Sequence, residues 1–258
     1  MLAPGSTEWM TPVKGIFAAV VGLMLVSSAL SAETFESPPV KEGDSWTYRI
    51  TTEKGAAGWN QVHNEITVTR VTPTTIFISV KVSGSTQAPR EVFVGSDWSR
   101  SRDVNGKETV VNKPFVFPLS IGKSWDLAYQ EDSPNAQHKF EKFQDHFKVV
   151  GFEDIDVPAG KFRALKIEAD GHWEAELAPA QSVVQGAQSG QNGTTLVTQV
   201  QKTTDRQTSG RLYKAYWYAP EVKRWVKSIE ENYSSGGVRN ERFTQELESF
   251  RPAGAKND

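Results

Sequence analysis

The chain has 258 residues, no cysteine and a formal net charge of −2, from 29 basic and 31 acidic side chains. This near balance of charge gives no electrostatic reason to expect nucleic acid or an anionic membrane surface as a partner. The lack of cysteine excludes disulfides, thiolate metal sites and a cysteine nucleophile, so the fold must be held together by packing.

The first 32 residues have the layout of an export signal. Lys14 precedes an apolar run from Gly15 to Leu30, and small residues follow up to Ala32. At roughly 16 residues, the run is shorter than the ~20 that a membrane span needs. We therefore predict a signal peptide over 1–32, cleaved within a few residues of Ala32, a periplasmic location, and no transmembrane span after cleavage.

Residues 33–258 are predicted to form a single all-β domain. Short alternating runs separated by Gly, Pro, Asn and Asp are typical of antiparallel sheet, and Asn105–Gly106 indicates a type I′ hairpin. The predicted strands are Trp46–Ile50, Ile66–Val68, Ile76–Val82, Val92–Val94, Arg102–Val104, Glu108–Val111, Ser124–Tyr129, Phe140–Val150, Phe162–Ala169, Thr195–Lys202, Leu212–Tyr218, Arg224–Tyr233 and Glu241–Phe250, with a turn at Asp154–Lys161.

Two stretches share one sequence pattern. Pro39–Trp46 and Pro118–Trp125 both read Pro, aliphatic, two variable residues, Gly, one variable residue, Ser, Trp. Internal repetition would give two similar β-meanders that share one core, with Trp46 and Trp125 in equivalent buried sites. The alternative is that Gly, a polar residue, Ser and Trp are a common way for a strand to begin after a turn.

Glu174–Gly193 breaks the strand pattern with Ala, Gln, Ser and Gly. We predict a flexible, disordered insertion at 174–193, with a short helix over Trp173–Ala178 as the alternative for its beginning. A flexible C-terminal tail is expected at 252–258.

The motifs of common catalytic and metal sites are absent from the sequence. No Gly-x-Ser-x-Gly elbow and no His-Glu-x-x-His run occurs, and the four histidines are scattered. Adjacent acidic residues such as Glu230 and Glu231 point to opposite faces of a strand, so they cannot form a two-carboxylate site together. We predict no catalytic residue, no metal site and no cofactor.

Large aromatic residues are concentrated near a predicted hairpin. Four of them, Tyr216, Trp217, Tyr218 and Trp225, lie within ten residues beside Pro220, Lys223 and Arg224. They suggest the mouth of a cavity that holds an apolar ligand. The alternative is that the rings pack on both faces of the sheet as core.

Three motifs, Glu42–Tyr48, Val157–Phe162 and Trp217–Arg224, together resemble a family of exported bacterial proteins known only as a domain of unknown function. The resemblance implies an antiparallel half-barrel, similar in outline to the lipoprotein-localisation carriers, whose curved sheet covers an apolar cavity. No catalytic residues are established for that family, so none carry over.

Taken together, the sequence predicts an all-β protein built on a strongly curved antiparallel sheet or half-barrel. We expect a non-enzymatic module that binds an apolar ligand, such as a lipid or a lipoprotein, and no nucleic acid. One alternative is a hydrolase of an envelope polymer, which needs two carboxylates converging in a cleft. The other is a structural or assembly partner that pairs through a sheet edge. The oligomeric state stays open.

Overall fold

The computed structural model describes residues 33–178, 183–189, 195–201 and 207–255; of 183–189 and 195–201 it describes the backbone. The predicted signal peptide at 1–32 and residues 256–258 of the predicted tail lie outside these ranges. Among the described residues, no helix has the length and apolar character needed to cross a bilayer.

The described residues are mostly strand. The strands are β1 (Thr34–Phe35), β2 (Ser45–Glu53), β3 (Trp59–Val71), β4 (Thr75–Val82), β5 (Arg90–Gly95), β6 (Arg100–Val104), β7 (Lys107–Asn112), β8 (Leu119–Ser120), β9 (Ser124–Asn135), β10 (His138–Val157), β11 (Gly160–Leu177), β12 (Val183–Ser189), β13 (Thr195–Gln201), β14 (Gln207–Ala219), β15 (Arg224–Tyr233) and β16 (Arg239–Arg251). Two single-turn 3-10 helices, Gly55–Ala57 and Pro220–Val222, interrupt them.

Ten strands form one antiparallel sheet in the order β5-β4-β3-β2-β16-β15-β14-β11-β10-β9. The remaining strands pair two by two, as β1–β8, β6–β7 and β12–β13. Strands β5 and β9 are the two edges, so the sheet is open. The predicted all-β fold with a large antiparallel sheet is confirmed.

Alternation along β2 defines the two faces of this sheet. Trp46, Tyr48 and Ile50 are buried on one face, which we call the inner face, whereas Arg49 and Thr51 lie on the opposite, outer face. Phe115, from the segment after β7, is fully buried against the rings of the inner face. The core therefore lies between the inner face and the β6–β7 hairpin with the segment that follows it.

The two stretches that share a sequence pattern also share a backbone geometry. Gly43 and Gly122 both adopt positive φ, 92° and 87°, which a side chain would strain. The matching hydrogen bonds are Gly43 N to Val68 O (2.9 Å) and Val68 N to Asp44 O (2.9 Å), against Gly122 N to Val149 O (2.9 Å) and Val149 N to Lys123 O (2.8 Å). In both stretches the paired strand then has a register shift, between Val68 and Arg70 in the first and between Val149 and Gly151 in the second.

The two tryptophans that begin these strands have related surroundings but unequal burial. Trp46 stacks on Phe250 and Trp125 stacks on Phe147, with ring centroids 5.5 and 5.4 Å apart. Both indoles donate a hydrogen bond to a main-chain carbonyl in another part of the chain. Trp46 is fully buried, but Trp125 is only half-buried, because β9 is an edge strand. The expectation of two equally buried sites is therefore wrong.

The structure differs from the sequence prediction at several element boundaries. Residues 174–177, the start of the predicted insertion, belong to β11; all four pair with β10, and 174–176 also pair with β14. Pairing on both sides overrides the local composition, so the helix considered for Trp173–Ala178 is wrong. Val183–Ser189 pairs with Thr195–Gln201 as a hairpin, while 179–182 and 190–194 lie outside the described residues.

Two further segments have contacts that the sequence does not indicate. The turn predicted at Asp154–Lys161 shrinks to Pro158 and Ala159, because β10 and β11 run on to Val157 and Gly160. In the predicted tail, the Ala253 amide donates to the Asp44 carboxylate at 2.8 Å.

Candidate functional site

The structure places all four aromatic residues of the predicted ligand site in the core. Tyr216 and Tyr218 lie on the inner face of β14, and Trp217 lies on the outer face between the ammonium groups of Lys166 and Lys227. Trp225 packs edge-on to Tyr216, with ring centroids 5.5 Å apart. Each of the four is buried.

Hydrogen bonds hold two of these four rings, Tyr216 and Trp225, whereas the Trp217 Nε1 atom and the Tyr218 hydroxyl are buried without a hydrogen-bond partner among the described residues. The Tyr216 hydroxyl donates to Glu230 Oε1 at 3.0 Å and lies 3.0 Å from the amide nitrogen of Asn112. Burial raises the pKa of Tyr216 well above its ordinary value, so this hydroxyl stays protonated and keeps donating. The Trp225 indole donates to Gln245 Oε1 at 3.1 Å. The four rings thus have a packing role here, and their role in ligand binding stays a prediction.

A groove of about 840 Å³ lies elsewhere, at one end of the outer face. It is formed where β2 leads into β3 and where β15 leads into β16. The lining residues are Thr51, Glu53, Gly55, Gly58, Trp59, Tyr233, Gly237 and Arg239. We call it the Trp59 groove.

Two glycine turns shape the Trp59 groove. Gly58 and Gly237 have φ of 87° and 75°, and a Cβ atom at either position would meet no other atom within 4 Å. The groove therefore stays open above these turns. Directly after Gly58, Trp59 begins β3 opposite Glu53. Its indole is 69% exposed, the highest value among the exposed large apolar side chains of the described residues.

The charges beside Trp59 compensate one another. The Arg239 guanidinium bonds Glu53 at 2.7 Å and Glu231 at 3.2 Å. Glu231 also accepts the Tyr233 hydroxyl at 2.7 Å and lies 3.6 Å from Arg242. Hydrogen bonding to Glu231 and burial raise the pKa of Tyr233. The groove thus combines a free indole face, a fixed tyrosine and a guanidinium already held by two carboxylates.

The side chains that line the groove do not form a common catalytic arrangement. Glu53 and Glu231 share the same guanidinium, and no hydroxyl or thiol nucleophile lies beside a histidine base in the groove. In the part of the chain that the structure describes, no group of three His, Asp or Glu side chains could hold a metal ion.

Glu230 and Glu231 lie on opposite faces of β15, as strand geometry predicts. Glu230 accepts the Tyr216 hydroxyl on the inner face, whereas Glu231 bonds Arg239 on the outer face. These two neighbours therefore cannot form the carboxylate pair of a hydrolase.

Sequence reasoning missed Trp59 and Arg239. The signal that could have found Trp59 is its place directly after the loop Gly55–Gly58, since a large ring after a glycine turn is often presented to solvent. Arg239 gave no such signal. Its position next to Glu53 depends on the pairing of β16 with β2, strands 186 residues apart at that contact.

Comparisons with known proteins give fold neighbours alone. No protein-family model matches the chain, and no curated protein matches it significantly. Two solved structures resemble it. One is an inferred lipoprotein from Parabacteroides distasonis (TM-score 0.44, 13% identity, 85% of this chain and 100% of that chain). The other is an inferred exported protein with a YmcC-like fold from Bacteroides fragilis (TM-score 0.40, 15% identity, 85% and 100%). Neither is named as a lipoprotein-localisation carrier, so that similarity stays a prediction.

Proposed function

We propose that this chain is an exported, non-enzymatic binding module whose Trp59 groove takes an uncharged saccharide of the cell envelope. Export is supported by the signal-like segment before Ala32. The observation that carries the ligand assignment is the exposed Trp59 indole inside a groove whose charged side chains are already paired.

The chemistry of the lining favours a saccharide over a lipid. A sugar ring has an apolar face that can stack on the Trp59 indole and hydroxyls at its rim that can bond the surrounding polar groups. Thr51, Glu53 and Arg239 provide such groups. An acyl chain would cover the same polar groups without bonding them, which costs free energy.

Charge pairing favours an uncharged saccharide over an acidic one. Arg239 is the cation that lines the groove, and two carboxylates already bond it. A uronic acid would have to displace Glu53 or Glu231 to reach the guanidinium, and it would meet their negative charge.

Binding of neutral oligosaccharides, measured by calorimetry and tryptophan fluorescence, tests this proposal. Trp59→Ala should weaken binding about 10- to 30-fold, the size expected when a central aromatic contact is truncated. Phe93→Ala is the matched control, because Phe93 is also exposed (56%) but lies on β5, away from the groove. Its affinity should equal that of the unmodified protein.

Two results would overturn the assignment. The first is no binding by a panel of neutral glucan and amino-sugar oligomers. The second is equal affinity for the Trp59→Ala and unmodified proteins. Uptake of a fluorescent fatty acid that is unaffected by Trp59→Ala would instead favour an apolar ligand on the inner face.

A further inference from the structure

Arg224 is a buried cation surrounded by aromatic rings. It begins β15, directly after Lys223, which has φ of 64°, and it is 6% exposed. The distances from its Cζ atom to the ring centroids are 4.1 Å for Trp225, 4.6 Å for Trp98, 5.1 Å for Tyr48 and 5.9 Å for Trp46. These four rings form what we call the arginine cage.

The guanidinium in this cage lacks an acceptor. Its Nε and Nη1 atoms are buried without a hydrogen-bond partner, and no carboxylate among the described residues forms an ion pair with it. The neighbouring cation differs, since Lys223 Nζ bonds the buried Asp44 carboxylate at 2.8 Å. Burial lowers the pKa of Arg224, but an arginine side chain keeps its proton in proteins. The positive charge is therefore present and unpaired.

Aromatic rings satisfy one part of a guanidinium and leave another part unsatisfied. Their π faces attract the cation, but they offer no lone pair to N–H groups at the guanidinium edge. Those edge groups lie in a planar fork that matches two oxygens of a carboxylate or phosphate group. Buried donors without a partner in a native fold call for an acceptor from outside the chain.

We propose that the edge of Arg224 binds the phosphate group of a ligand, in a site separate from the Trp59 groove. Trp46, Tyr48 and Trp225 of the cage belong to β2 and β15, in the middle of the large sheet. Trp98 is carried by the tight turn between β5 and β6, where its φ is 63° and its indole donates to Lys223 O at 3.0 Å.

Thermal unfolding with and without phosphate compounds tests this site. The probes are inorganic phosphate and hexyl phosphate, with hexanol and sodium chloride of equal ionic strength as controls. An oxyanion bound only to the folded protein should raise Tm by roughly 5 to 10 °C at about 100 times its Kd. Binding should also change the tryptophan emission, because three of the four cage rings are indoles. A response to inorganic phosphate indicates a free oxyanion as the ligand, whereas a response to hexyl phosphate alone indicates the headgroup of an amphiphile.

Arg224→Met and a matched control locate the effect. Arg224→Met keeps an unbranched apolar stem but removes the guanidinium and its charge, and it should abolish the rise in Tm. The control is Arg70→Met. In the unmodified protein the Arg70 Cζ atom also lies close to a ring, 3.7 Å from the centroid of Phe77, but on an exposed part of β3. The rise in Tm should therefore persist in this variant. An equal rise in the Arg224→Met protein would overturn the proposal, since the anion would then bind elsewhere.

The unmodified protein tests the proposal even if the variant does not fold. No change in Tm and no change in emission with either phosphate compound would show that Arg224 is a core cation without a ligand. A folded Arg224→Met protein that is more stable than the unmodified one under every condition would support the same conclusion.

Discussion

Asp44 is a single residue at which three separated parts of the chain meet. Its carboxylate accepts the Lys41 amide and the Lys223 ammonium on one oxygen, each at 2.8 Å, and the Ala253 amide on the other, also at 2.8 Å. The side chain is fully buried. The loop before β2, the turn before β15 and the segment after β16 are therefore joined by one charge.

We predict that Asp44→Asn strongly destabilises the protein. The amide leaves the Lys223 ammonium without its counter-charge, and removing one partner of a buried ion pair costs about 3–5 kcal/mol. Urea unfolding should show this loss in the free energy of unfolding. The control Asp156→Asn changes an exposed pair with Lys161, 4.0 Å apart, and should stay within about 0.5 kcal/mol of the unmodified protein. Equal effects at the two positions would show that Asp44 does not organise this junction.

Residue types in the sequence predict which side chains are candidates for a site, but not whether the folded sheet buries or exposes them. The four rings around Tyr216 and Trp225 are apolar enough for either a cavity mouth or a core. Phe115, from a segment about 100 residues away, packs against Tyr216, Tyr218 and Trp225. That contact is visible only after folding, and a role of the rings in ligand binding stays a prediction. Arg224 was recognised in sequence only as a cation near these rings, because the lack of a carboxylate beside it becomes visible only after folding.

At the scale of elements, the outer face carries ladders of charges across neighbouring strands. Glu246 of β16 bonds Arg49 of β2 at 2.7 Å and Lys227 of β15 at 3.0 Å. Burial alone would raise the pKa of Glu246, but the hydrogen bonds from these two cations outweigh burial and lower it. The central strands are therefore cross-linked by charge on the face opposite the core.

This lowered pKa predicts a dependence of stability on pH. A carboxyl whose pKa is lower in the folded state stabilises the fold above its unfolded pKa, about 4.3 for glutamate. The contribution disappears as the pH falls through the folded value. Glu246→Gln should therefore cost about 1–2 kcal/mol at pH 7, and the difference should shrink as the pH falls from about 5 to 3.

Urea unfolding over this pH range is the measurement. Glu91→Gln, on the exposed edge strand β5, is the control and should differ little from the unmodified protein at any pH. A difference for Glu246→Gln that stays constant down to pH 3 would contradict the prediction.

Element prediction succeeded where the pattern alternates and failed where strands are long. β15 was predicted at its observed bounds, Arg224–Tyr233, and the Asn105–Gly106 hairpin has the two positive φ values, 55° and 77°, of a type I′ turn. By contrast, β10 and β11 run well past the alternating apolar stretch. The polar parts of β10 and β11 beyond that stretch still pair with neighbouring strands. The sequence of a single strand does not reveal this pairing, because residues of the partner strands hold those parts in place.

For the whole molecule, the order of strands decides which segments are dispensable. β16 lies between β15 and β2 and so connects the two halves of the ten-stranded sheet. β12 and β13 pair only with each other in a separate two-stranded sheet. The contribution of a segment to stability should depend on whether its strands lie inside the ten-stranded sheet, rather than on its length.

We predict opposite outcomes for two deletions. A chain ending at residue 238 lacks β16, exposes both of its neighbours and should show no cooperative unfolding transition. Replacing 183–201 with a short Gly/Ser linker should shift Tm by no more than about 2–4 °C, the effect of roughly 1 kcal/mol in a chain of this size. Circular dichroism during heating measures both. A large loss of Tm in the second variant would show that the β12–β13 hairpin stabilises the large sheet.

The adjacency of β2 and β16 has a consequence for chain connectivity. Residue 253 lies against residue 43, where a Cβ atom added to Gly43 would be 3.6 Å from the Ala253 Cβ. A short peptide could therefore join residue 253 to residue 43 and leave every pairing of the ten-stranded sheet unchanged, at the loss of β1 and its pairing with β8. New termini could be opened in the β12–β13 hairpin, which pairs with no strand of the large sheet. Such a circular permutant would begin with β13 and end with β12, and each strand of the large sheet would keep the partners it has now.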